Sequence, residues 1–98
     1  MKTRLLAIAQ RELDAAVEYY NGERPGLGYE FLWEVLAAID RIVLLPEAWP
    51  PFPAGTRRCL LRRLPYGVVY KPLGGVLLVL AVANLHREPE CWIDRLTE

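Results

Sequence analysis

Apolar positions in the first half of the chain follow a helical period. From Ala9, the residues Leu13, Ala16, Val17 and Tyr20 recur at steps of three and four, and Arg11, Glu12, Asp14 and Glu18 fill the opposite face. Asn21-Gly22 marks the end of this helix. The "TRLLAIA" stretch before it, residues 3–9, reads as a brief strand running into the helix. After the link "ERPGLGYE", where Pro25 suits a first helical turn, a second helix carries Phe31, Leu32, Val35, Leu36, Ile39, Ile42, Val43 and Leu45. That apolar stripe is wider than one buried face requires. Two helices on a short link predict an antiparallel hairpin.

At Pro46 the pattern changes. "PEAWPPFPAG", residues 46–55, holds four prolines and two aromatics, so it predicts a stiff, extended crossover pinned by its rings. Strand signals follow: "RRCLLRR" (57–63), the turn "LPYG", "VVYK" (68–71), the turn "PLGG", and "VLLVLAVANL" (76–85). The last run is apolar from Val76 to Ala83, which predicts a central strand covered on both faces. A tail, "REPECWIDRL" (87–96), has room for one or two helical turns from Pro89. The expectation is an α+β domain: an N-terminal antiparallel helix hairpin packed on a three- to four-stranded antiparallel sheet, with a short C-terminal helical tail. At 98 residues the chain makes one domain, 1–98.

Charge changes this picture in one respect. The net charge is zero, which excludes the strongly basic class of nucleic-acid binders. Residues 1–55 hold five Lys/Arg against eight Asp/Glu, a balance of −3; residues 56–98 hold seven against four, a balance of +3. The second half is therefore the place for an anionic ligand or an acidic partner. Its cationic candidates are Arg57, Arg58, Arg62, Arg63, Lys71 and Arg87. Read as one strand, 57–63 puts Arg58 and Arg62 on one face with Leu60, and Arg63 on the other with Cys59 and Leu61. Planar guanidiniums there suit a phosphate or carboxylate, or a bond to a helix carboxylate such as Glu30, Glu34 or Asp40.

His86, beside Arg87 beyond the last strand, has the chemistry of an acid or base. Tyr66 in the turn and Tyr70 on the next strand lie near the arginines, able to stack or to donate a phenolic proton. Trp92 is placed to anchor the tail. Cys59 and Cys91 are far apart and read as free cytosolic thiols; with one histidine they make a poor zinc set. No run is long enough for a transmembrane helix, and no phosphate loop, nucleophile elbow, zinc-protease or dinucleotide motif is present.

The order of segments carries more than any single motif. An "AxxELxxAxxYY" opening, the "RRxLLRRxPYGVVY" hairpin and the "VLAVA…RxPxxW…RL" ending span nearly the whole chain, and together they resemble the RelE/ParE toxin superfamily. The resemblance implies the cytoplasmic toxin of a bacterial type II toxin–antitoxin module. It implies a cognate antitoxin as partner, no cofactor, no metal and no membrane. Two targets occur in that superfamily. RelE-like members cut mRNA on the ribosome; here Arg58, Arg62 and Arg87 would stabilise phosphorane charge and His86 would act as base or acid. ParE-like members block DNA gyrase and need no nuclease centre. Cys91 stands where related tails often carry tyrosine, Asn84 where a histidine is expected, and the chain is neutral. These departures favour the ParE-like branch, with the ribosome-dependent endoribonuclease as the alternative and an inactive antitoxin-binding orphan as a third reading. In the non-enzymatic readings Arg57, Arg63, Tyr66, Tyr70, Lys71 and Trp92 join the arginines as target or antitoxin contacts.

Overall fold

The computed structural model describes residues 1–86 and Arg95. Strand β1 (Lys2–Leu5) leads into helix α1 (Ala7–Glu23), and helix α2 (Leu27–Leu44) returns antiparallel to it. The crossover contributes a two-residue strand β2 (Pro51–Phe52) and a 3₁₀ turn (Pro53–Gly55). Strands β3 (Thr56–Leu60), β4 (Tyr66–Leu73) and β5 (Val76–Asn84) complete a sheet in the order β1-β5-β4-β3-β2.

The α+β class and the leading helix hairpin are as the sequence predicts. The sheet has five strands rather than three or four, and it is mixed: β1 pairs parallel to β5, while the other pairs are antiparallel. The additional strands are the short "KTRL" at the start and the Pro51–Phe52 piece of the crossover. Each is too brief to show a period of two. Arg87, Trp92 and the predicted helical tail lie outside the described residues.

Both helices bury one face on the sheet. Leu13 and Ala16 of α1, with Phe31, Val35, Ala38 and Ile42 of α2, pack on Val68, Tyr70, Leu77, Val79 and Val82. The hairpin is closed tightly at its link: Asn21 Oδ1 accepts the Gly28 N–H at 2.8 Å. A Cβ on Gly28 would collide with the Val17 carbonyl oxygen. The far face of the sheet carries a second, smaller cluster of Val69, Leu80 and Ala81, flanked by Leu6, Phe52, Leu78 and Ala83. The apolar β5 is thus buried on both faces, as its composition predicts.

Gly74 and Gly75 both have positive φ, 54° and 80°, as a two-residue hairpin between paired Leu73 and Val76 requires. Midway along the β4–β5 pair the register slips: Val69 pairs with Ala81, but Tyr70 pairs with Val79. Leu80 is the extra residue of a β-bulge, so Leu80 and Ala81 both turn to the far face.

Candidate functional site

The arginine hairpin is built differently from a continuous strand. β3 ends at Leu60, so Arg62 and Arg63 are turn residues and strand alternation does not govern them. Glu34 of α2 holds this turn. Its Oε1 accepts the backbone N–H groups of Arg62 and Arg63, each at 3.1 Å, and its Oε2 accepts Arg63 Nε at 3.1 Å. Glu30 lies 3.5 Å from the same guanidinium. A carboxylate with its two oxygens so engaged fixes the turn against the helix. Arg63 is therefore committed to α2.

Arg62 is exposed, and among the described residues its side chain has no ion pair. It lines a groove of about 330 Å³ on the outer side of α2, together with Trp33, Ala37 and Arg41.

The arginines of β3 have separate tasks. Arg57 faces the helices and donates to the Trp49 carbonyl. Tyr70, its cross-strand neighbour, is fully buried and donates its hydroxyl to the Pro46 carbonyl at 2.7 Å. Together they pin the proline-rich crossover, which explains its ordered path. Burial pushes the Tyr70 phenol up, against the lowering charge of Arg57. Both side chains are thus occupied inside the fold. Arg58 points to the far face, where its guanidinium sits 4.5 Å from the centroid of the Phe52 ring. Gly67 makes room for it: a Cβ there would stand 3.0 Å from Arg58 Cγ.

Tyr66 is half-buried in an aromatic cluster, edge-on to Phe31 (centroids 4.9 Å apart) and to Tyr20 (6.0 Å). Lys71 is half-buried on β4 opposite Leu78. His86 is exposed in the turn after β5, its N–H donating to Asn84 Oδ1 at 2.9 Å. The candidate residues therefore divide. Arg58 lies on the far face, Arg62 and Arg63 on the helix side of the turn, and Arg57 and Tyr70 within the fold. His86 lies beyond the end of β5.

The structure adds a constellation with no signal in the sequence. β1 ends at Leu5, leaving the distal half of β5 without a neighbour on that edge. There Glu12 of α1 accepts the Val82 N–H at 3.1 Å. Arg95 donates to the Leu80 carbonyl at 2.9 Å and to both Glu12 oxygens at 2.9 and 3.1 Å. A mostly buried two-pronged ion pair thus stands in for a strand where β1 ends. It forms one wall of a second groove, about 370 Å³, shared with Tyr19, Tyr66 and Asn84. Glu12 belongs to the polar side of α1 in the helical pattern, which gives no hint that a strand edge lies within its reach.

Cys59 is buried, and burial pushes its thiol up; Arg41, with Nη2 3.9 Å from Sγ, pulls the other way but less. No helix among the described residues is long and apolar enough to cross a membrane.

No family model and no curated protein matches the sequence. Among solved structures, the chain is similar to one from "Chromosomal ParDE TA system from P. aeruginosa", with a TM-score of 0.76 at 17% identity. The match covers 88% of this chain and 97% of that one. At this identity the likeness speaks for architecture alone: the chain shares the fold of that chain of a ParDE system.

Proposed function

We propose that this protein is the toxin of a type II toxin–antitoxin module, that a cognate antitoxin neutralises it, and that it acts by inhibiting DNA gyrase. The toxin assignment rests on the shared fold with a chain of a ParDE system across nearly the full length of both. The choice of target is supported by one observation: two of the cations a nuclease would use, Arg58 and Arg62, lie on different sides of the fold. Arg58 is laid over Phe52 on the far face, whereas Arg62 lines the groove beside α2. Phosphoryl chemistry needs the cations and the proton-transfer group within reach of one phosphate. Recognition of a protein surface has no such requirement.

Induced expression in a bacterial host, followed by primer extension on cellular mRNA and a supercoiling assay with purified gyrase, tests this. Growth arrest, intact mRNA and inhibited supercoiling are expected. Codon-phased cleavage within reading frames would establish the endoribonuclease instead, and the absence of growth arrest would leave the orphan reading.

A further inference from the structure

Helix α2 carries apolar residues on both its inner and its outer face. Its inner face supplies Phe31, Val35, Ala38 and Ile42 to the core. Its outer face carries Tyr29, Trp33, Leu36, Ala37 and Leu44, recurring at steps of three and four with Asp40 among them. Tyr29 is 61% exposed, Trp33 71% and Leu44 78%. A helix with apolar residues on both faces is one whose outer face is made to be covered. The stripe is about 22 Å long at about 1.5 Å per residue, the length of a docked helix of four turns.

The two borders of this stripe differ in charge. On one side lie Arg41 and Arg62, neither ion-paired among the described residues; the nearby Glu30 and Glu34 are engaged with Arg24, Arg63 and the turn. On the other side a groove of about 520 Å³ runs between α1 and α2, where Leu32 meets Asp14 and Glu18. Crossing the helix layer, the surface therefore passes from acidic to apolar to basic.

That order discriminates among occupants. A second copy laid antiparallel about a twofold axis would set each Arg41/Arg62 border against its own image. Laid parallel, it would set Asp40 against Asp40. An anionic membrane is opposed by Asp14, Glu18 and Asp40.

We propose that the outer face of α2 is a docking groove for an amphipathic helix of a partner protein, acidic along the flank that meets Arg41 and Arg62 and basic along the flank that meets Asp14 and Glu18. Trp33 is the central anchor, with the small Ala37 beside it admitting a side chain of the incoming helix. Naming that partner as the antitoxin rests on the reading above; the groove itself does not.

Fluorescein-labelled helical peptides with one shared leucine stripe test the proposal against the full chain by anisotropy. The first has Glu on one flank and Lys on the other, the second Lys on both, the third Glu on both. The mixed peptide is expected to bind at least about tenfold more tightly than either uniform one, and Trp33→Ala to weaken it by about tenfold or more. Replacing both Asp14 and Glu18 by Lys should make the all-Glu peptide the best binder. Trp33 is largely exposed, so the variant's melting temperature serves as the check on folding.

Equal binding of all three peptides, or indifference to Trp33→Ala, overturns the proposal. So does concentration-dependent self-association that Trp33→Ala abolishes, because it would give the face to a second copy. If the peptides fail while the induced chain still arrests growth, the groove is wrong and the toxin reading stands. If they bind as expected and growth is unaffected, the reverse holds.

Discussion

Glu34→Ala isolates the contact that shapes the arginine turn. The substitution removes an acceptor for two backbone N–H groups and one guanidinium N–H, all at 3.1 Å. Glu34 is mostly buried, its side chain 14% exposed, but Arg63 is 68% exposed, so the ion pair itself is strongly screened and is worth about 0.5 kcal/mol at most. The two backbone bonds are to a charged acceptor, yet their donors sit in an exposed turn and can turn to water, which places each near about 0.8 kcal/mol. The sum is about 2 kcal/mol.

For a domain of this size such a loss lowers the melting temperature by roughly 8–16 °C. Glu34→Gln keeps one acceptor oxygen without charge, so about half the loss is expected. Urea unfolding followed by circular dichroism measures the energy, and amide hydrogen exchange at Arg62 and Arg63 locates it: both amides should lose protection while Val68 and Val79 keep theirs. An alanine variant as stable as the parent, or one whose two amides exchange no faster, would show that the turn is held by its own backbone and that Glu34 is incidental.

His86→Ala should leave growth inhibition within about twofold on colony counts after induction, because a lost acid or base would cost about 10²-fold or more; a loss of that size would restore the nuclease reading. Gly28→Ala should destabilise the fold by about 1–3 kcal/mol in thermal unfolding, since the new Cβ meets the Val17 carbonyl and stands 2.6 Å from Asn21 Cγ. Cys59 should resist alkylation until the chain unfolds. Burial raises both the Cys59 thiol and the Tyr70 phenol, so in alkali the unfolded chain loses protons before the folded one. Stability should accordingly be flat at neutral pH and fall as pH rises beyond about 9, read as a falling urea midpoint; a midpoint that rose with pH there would contradict the burial.

The helices and the main strands were legible because each carries a period long enough to count. α2 gave even its outer face away, as a stripe too wide for one buried side. What the sequence hid was contact across long separations. The segment 57–63 is uniformly strand-like in composition, and nothing in it announces that the ladder stops at Leu60. Leu61 N–H still reaches the Tyr66 carbonyl, and Glu34, more than twenty-five residues earlier, then captures the amides of Arg62 and Arg63. Arg57 and Tyr70 read as surface chemistry because their residue types are common at sites, but their partners are backbone carbonyls of a proline-rich segment with few donors of its own. The Leu80 bulge was equally hidden, since an all-apolar strand shows no break in alternation when one residue slips.

The opposite charges of the two halves also acquire a meaning in the structure, and it is mainly internal. Arg63 from the basic half lies on Glu30 and Glu34 from the acidic half. Arg95 lies on Glu12 in the same sense. Of the seven cations in the basic half, folding thus pairs Arg63 and Arg95 with carboxylates, and a third, Arg58, is drawn onto a ring. A polyanion approaching this chain would meet less positive charge than seven cations in the second half imply. Among the described residues Arg41 and Arg62 are two arginines without an ion pair, and both line the groove beside the exposed Trp33 of α2. Positive charge and exposed apolar surface therefore coincide beside Trp33, a combination that suits a protein partner rather than a nucleic acid.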